Sequence, residues 1–386
     1  MQVCLLSKRL SLQKVWSALP SRILVIALLC PPSFALNPDW QIYQYGHRTW
    51  KSGDTFPSGA VHAITQDADG YLWVGTYAGL FRFDGVRFTQ WIPPQGTRSL
   101  GGVGSLLADR DGSLWMGTTE GLRHWDHQHL IPYEVEHRVT YVPAMLQDRD
   151  GAMWFPPSQL SSNSDALLCE VSHSKLSCYG HRSTLPFESS PEALAFDSYG
   201  TMWVGESQSL IAWRNGSARM YPLPALHNNA LVDGVRGLAA DVDGSLLVGI
   251  SKRGSGLGLQ RFRNGQLTPV TAPGFDGSAH KVTTLLMDGR HALWIGTTDE
   301  GIYRFYQGRV DHFDTHNGLS GDSVFALRED REGSLWVGTS GASISFAISR
   351  FSLSPERSIP APRNSTILSP RLTGLYGSEE TVPSTL

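Results

Sequence analysis

Cysteine is rare in this chain, with four in 386 residues, and only Cys169 and Cys178 lie beyond the first 35 positions. That leaves room for one disulfide, and no second pair of ligands stands at zinc-binding spacing. A cationic excess is missing too. The formal net charge is −3, which argues against a nucleic-acid partner. No stretch after residue 35 approaches the roughly 18 apolar residues of a membrane helix, and helical periodicity of useful length is absent. No nucleophile elbow, phosphate-cradling loop or dinucleotide fingerprint occurs; the glycines of GSGLGL, Gly254 to Leu259, lead into no helix. What the chain does have is 40 Gly and 12 Trp, the composition of a folded protein rich in turns and aromatics.

The N-terminus carries Lys8, Arg9, Lys14 and Arg22 with no acid, then the apolar run ILVIALLC, Ile23 to Cys30, then PPSFA. Ser33 and Ala35 stand at the spacing of a small-residue cleavage site. This reads as a secretory signal, residues 1–35, cut after Ala35. The expected mature protein is exported to the periplasm, with no transmembrane segment.

The stretch DADGYLWVGTYAGLFRFDG, Asp67 to Gly85, is one unit of a repeat. Aligned on Trp73, related units centre on Trp115, Trp154, Trp203, Leu247, Trp294 and Trp336, at steps of 42, 39, 49, 44, 47 and 42 residues. Six positions before each stands an Asp: Asp67, Asp109, Asp148, Asp197, Asp241, Asp288 and Asp330. Two positions after stands a Gly, as Gly75, except for Pro156. Each unit holds four short strand-like runs separated by turn signals such as DADG and DG. Seven such units predict an all-β, seven-bladed β-propeller with four antiparallel strands per blade, over residues 36–345. Asp67 should accept backbone bonds within its own turn, and Gly70 should close that turn in a left-handed conformation. Trp73 should fill the space between blades, and Gly75 should leave room for a neighbour.

HRTWKSGDTFPSGAVHAI, from His47, parallels VDHFDTHNGLSGDSVFAL, from Val310. The segment before the first unit therefore reads as a fourth strand that completes the last blade and closes the ring. After LWVGTSG the seventh unit loses its pattern. SISFAIS can supply a degenerate third strand, and residues 346–386 read as a Ser/Pro-rich disordered tail. Such an abrupt change of character is also what a frameshift leaves.

The unit D-x-D-G-x-L-W-V-G-T-x-x-G-L-x-R-F-D-G-x-x-F, which residues 67–88 match closely, resembles the two-component regulator propeller repeat. The resemblance extends in part over residues 40 to about 340. It implies an exported sensor propeller, the ligand-sensing input portion of a hybrid histidine kinase or a diguanylate cyclase. The β-sandwich, membrane helix and output domain that usually follow in that family are not found in this chain, so a truncated receptor fragment is one reading.

Other readings of the same residues stay open. An enzyme similar to streptogramin lyase would need His and Glu converging near the axis with a divalent metal; His62, Glu120 and Glu300 are the residues to watch. A glycan-active enzyme would need a carboxylate pair. The paired Asp of the D-x-D-G turns lack the further oxygen ligands of a helix-flanked calcium loop, and HWDHQH, His124 to His129, falls at a blade's outer edge. No catalytic residue, metal or cofactor is assigned. Ligand contacts are expected on the loop face, at Tyr77, Glu120, Arg253, Asp299, Glu300 and Asn317, for a small molecule, glycan or peptide, with a protein partner or homodimer as further options. In ALLCEVSHSKLSCYG, a hairpin turn at SHSK would set Val171 opposite Leu176 and Cys169 opposite Cys178, where an oxidising compartment permits a disulfide.

Overall fold

The computed structural model describes residues 40–344, apart from 52–58, 95–99, 136–138, 160–165, 181–182, 184, 215, 227–232 and 342. The expected leader and tail lie outside the described residues. So do most of the loop residues between Lys51 and Gly59.

The chain is an all-β propeller with four antiparallel strands per blade. The first blade runs Val61–Gln66, Leu72–Thr76, Gly79–Phe83 and Phe88–Gln90, each strand paired with the next. Five more four-stranded sheets of consecutive chain follow, with inner strands starting at Val103, Leu146, Ala193, Val235 and Val282. A further four-stranded sheet draws on both ends of the described chain. Val324–Glu329, Leu335–Thr339 and Ser343–Ile344 are completed by Trp50–Lys51, with Trp50 opposite Ile344. The closing strand and the degenerate third strand expected from sequence are both present. Trp50 stacks on Trp336 at 5.4 Å and meets Phe83 edge-on at 5.1 Å, so it ties the last sheet to the first.

The repeated Asp fixes each inner turn in two ways. One oxygen of Asp67 accepts the backbone N–H groups of Asp69 and Tyr71, at 3.1 and 2.9 Å. The other accepts the indole Nε1–H of Trp73 at 2.7 Å. The indole bond recurs from Trp115, Trp154, Trp203, Trp294 and Trp336 to the Asp six residues earlier. In the fifth unit Leu247 has no indole, and Arg261 Nη1 donates to Asp241 at 2.6 Å instead. Both Asp67 oxygens are thus engaged by the protein, which fits a scaffold and not a cation loop. Gly70 closes the turn at φ 92°, and His291 adopts φ 64° at the same place in the sixth unit.

Trp73→Phe should cost about 1–3 kcal/mol, the penalty of an unpartnered buried acceptor. Arg261→Met should cost a similar amount by the same loss. Urea unfolding of the two variants checks this; a loss in Trp73→Phe alone would mean the indole acts through packing.

The second repeated device sets the blade spacing. A Cβ placed on Gly75 would lie 2.8 Å from Val103 of the next blade. The same encounter pairs Gly117 with Val142, Gly205 with Val235, Gly249 with Val282 and Gly296 with Val324. Gly338 meets Val61 at 2.6 Å and so joins the last sheet to the first. Backbone thus packs directly on a β-branched side chain at six seams. At the remaining seam both partners change. Pro156 stands in the Gly position, Pro191 in the Val position, and both are buried. The third blade is irregular around it. Its inner strand is only Leu146–Gln147, and a separate pair forms between Val139–Tyr141 and Ser158–Gln159. Pro143, Pro156 and Pro157 lack the N–H that a ladder needs.

The SHSK hairpin has the expected register. Val171 faces Leu176, and Cys169 faces Cys178 in a disulfide. No helix among the described residues is long and apolar enough to cross a membrane.

Candidate functional site

Inner strands surround an axial cavity of roughly 620 Å³. Every unit contributes to its wall the residue eleven positions before the aligned Trp or Leu. That position holds His62, Gly104, Pro143, Glu192, Arg236, Thr283 and Phe325, a different residue in every unit. Of this column only His62 stands out in the sequence by residue type. The signal was available, because the position directly before it is Val in six units while this one varies throughout.

The wall has two unlike halves. On one side the His62 ring lies 5.0 Å from Phe325, stacked, and 4.3 Å from Tyr77. Burial lowers the His62 pKa below its ordinary value, and its buried Nε2 finds no hydrogen-bond partner in the structure. Tyr141 adds a third aromatic ring to the lining. It occupies space that only a glycine can cede: a Cβ on Gly104 would fall 2.2 Å from Tyr141 Cε2. Burial raises the Tyr141 pKa, so its phenol stays protonated. On the other side Arg236 Nη1 meets Glu192 Oε2 at 2.5 Å. Burial raises the Glu192 pKa, and Arg236 opposes that shift. Asp233 and Lys281 continue this charged half toward the loop face.

Three of the six expected contacts come together above that half. Arg253 Nη2 bonds Asp299 at 2.8 Å and Glu300 at 2.9 Å. Lys281 reaches Asp299 at 3.3 Å, and His280 Nδ1 meets the other Glu300 oxygen at 2.5 Å. Lys281 therefore links the rim cluster to the cavity wall. Tyr77 stands apart, 57% exposed beside His62. Glu120 is exposed, its backbone N–H held by Thr118 Oγ1. Asn317 lies in the short 3-10 helix Thr315–Asn317 and uses its side chain to accept the Asp314 N–H at 3.2 Å. Glu120 and Glu300 are not in the cavity lining with His62. His124 stacks on Trp115 at 4.0 Å and bonds Ser113, which makes it part of the blade. Among the described residues no three His, Cys, Asp or Glu side chains are placed to hold a metal ion.

With that geometry in view, the likenesses to known proteins fall in place. The chain is similar in structure to the extracellular domain of a putative hybrid two-component system of B. thetaiotaomicron, with a TM-score of 0.62 and 20% identity over 80% of this chain and 40% of that one. A second such domain from the same organism gives 0.62 and 20% over 78% of this chain and 42% of that one. This chain therefore spans about two fifths of either. Virginiamycin B lyase from Staphylococcus aureus, in a catalytically inactive form with quinupristin, gives 0.60 and 13% over 79% of this chain and 100% of that one. At such identities the likeness is one of fold. No curated protein matches the sequence. The two component regulator propeller family matches residues 55–78 and 318–341, which overlap the first aligned unit and the last. The chain is thus a β-propeller in which two segments match the two component regulator propeller family.

Proposed function

We propose that this chain is an exported, seven-bladed sensory propeller that binds a soluble ligand at its axial cavity and loop face without transforming it. The sheet completed by Trp50–Lys51 is read as the seventh blade. One observation carries the proposal. Scaffold positions repeat from unit to unit, whereas the one register position that lines the cavity in all seven units holds a different residue in each. A rigid ring with one variable wall residue per blade is suited to recognition. Tyr77, Glu120, Arg253, Asp299, Glu300 and Asn317 would make the outer contacts, with a small molecule, glycan or peptide as ligand. The periplasmic setting follows from the leader and accords with the extracellular domains that share the fold.

The test is a thermal-shift screen of the purified chain against soluble sugars and peptides. At least one compound should raise Tm in a concentration-dependent way. Replacing the six outer residues together should abolish that rise and lower the unliganded Tm by no more than about 10 °C, since six surface substitutions at ~0.5 kcal/mol each sum to about 3 kcal/mol. A large loss of unliganded stability would contradict the assignment. The lyase fold supports a second reading, and turnover that requires a divalent metal would favour it.

A further inference from the structure

The two halves of the cavity wall point to a ligand class. Phe325, His62 and Tyr141 offer ring faces and edges, and the His62 Nε2 is buried without a partner. Opposite them, Glu192 and Arg236 form a close ion pair within the lining. A ligand with one charge would match only one member of that pair and oppose the other, which weakens its binding in a half-buried site. A neutral ligand would leave the pair closed and gain nothing from it. A zwitterion can enter between the two carrying both counter-charges, so that every charge remains paired.

We propose that the axial cavity binds a free aromatic α-amino acid, with its ring against Phe325, His62 and Tyr141, its ammonium on Glu192 and its carboxylate on Arg236. The inference rests on the sensory reading above and supplies the substrate class for it. A cavity of roughly 620 Å³ holds such a molecule together with bridging water.

The experiment is calorimetric titration of the purified chain with L-phenylalanine, phenethylamine and N-acetyl-L-phenylalanine amide. Saturable binding of phenylalanine with Kd below about 1 mM is expected, and the other two compounds should bind at least about tenfold more weakly. Phe325→Ala and Glu192→Gln should each weaken phenylalanine binding at least about tenfold, with melting curves confirming the fold. The comparison among ligands needs no variant, so a misfolded substitution does not affect it. Equal binding of the neutral amide, or no saturable binding of phenylalanine up to about 10 mM, would overturn the inference. If phenylalanine fails while a neutral sugar or a longer peptide raises Tm, the sensory reading survives without it. Metal-dependent consumption of a bound compound would overturn the sensory reading itself.

Discussion

Arg304→Ala is expected to lower the unfolding free energy by about 3–5 kcal/mol, the cost of stranding one member of a buried ion pair. Arg304 is 1% exposed and its partner Asp311 is 9% exposed, with a 2.5 Å contact between them. The guanidinium also donates to Tyr45 Oη at 2.5 Å and to the Trp40 carbonyl. It lies 5.7 Å from the Trp294 ring centre as well. The segment from Trp40 to Tyr45 is thereby fastened over the sixth blade, and Ile42 and Tyr45 pack with Phe313, Leu319 and Val337. Without Arg304, Asp311 would retain only the longer contact to Arg309 at 3.5 Å. Arg304→Met combined with Asp311→Leu should recover most of the loss, because it removes both charges. Urea unfolding of the single and double variants measures this. A loss below about 1 kcal/mol in Arg304→Ala would mean that water reaches Asp311 freely.

The second large effect depends on pH. Four units place a Thr three residues after the aligned position, and in three of them its hydroxyl bridges the tight turn to the third strand: Thr76 to Gly79, Thr118 to Gly121 and Thr297 to Gly301. The fourth unit has Glu206 there, with no exposed surface. Its carboxyl accepts the Ser209 hydroxyl at 2.5 Å and the Ser189 N–H at 3.3 Å. Desolvation pushes its pKa up to about 7, against the hydrogen bonds that lower it, and the Glu188 carboxylate adds to the rise. The unfolded chain ionises this group near its ordinary value of 4.5. Stability contributed by the protonated form is therefore fully present below about pH 4.5 and is lost as pH rises through about 7. Between about pH 5 and about pH 8 wild type should lose about 2–3 kcal/mol relative to Glu206→Gln. The comparison with the variant cancels the other carboxyls raised by burial, Glu192, Glu329 and Asp330. Parallel pH curves for the two proteins would show that Glu206 is solvated.

Local chemistry made much of the scaffold legible. The Asp, Gly and Trp of each unit obey fixed spacing because each completes one turn, and the SHSK hairpin has only one register that pairs its apolar residues. The indole-to-Asp bond was within reach of that spacing but needs the two side chains placed on one side of the hairpin. Arg304 shows where a repeat pattern stops informing. Arg82 holds the same register position opposite Trp73 and is exposed. Arg304, opposite Trp294, is buried only because a distant segment lies over it. The cavity was hidden for a related reason. Its wall collects residues from seven units about 44 positions apart, and their variation stands out only against the Val that precedes them in six units. Glu192 and Arg236, 44 residues apart, meet only once the ring forms.

A sensory propeller binds its ligand without turnover. The most direct measurement is a mass balance on the first compound that raises Tm, incubated with the purified chain, with and without added divalent cations, and recovered by mass spectrometry. The compound should return unchanged and in full under both conditions. Its depletion, with a product of altered mass that forms only when the cation is present, would contradict the sensory assignment and place the chain with the propeller lyases.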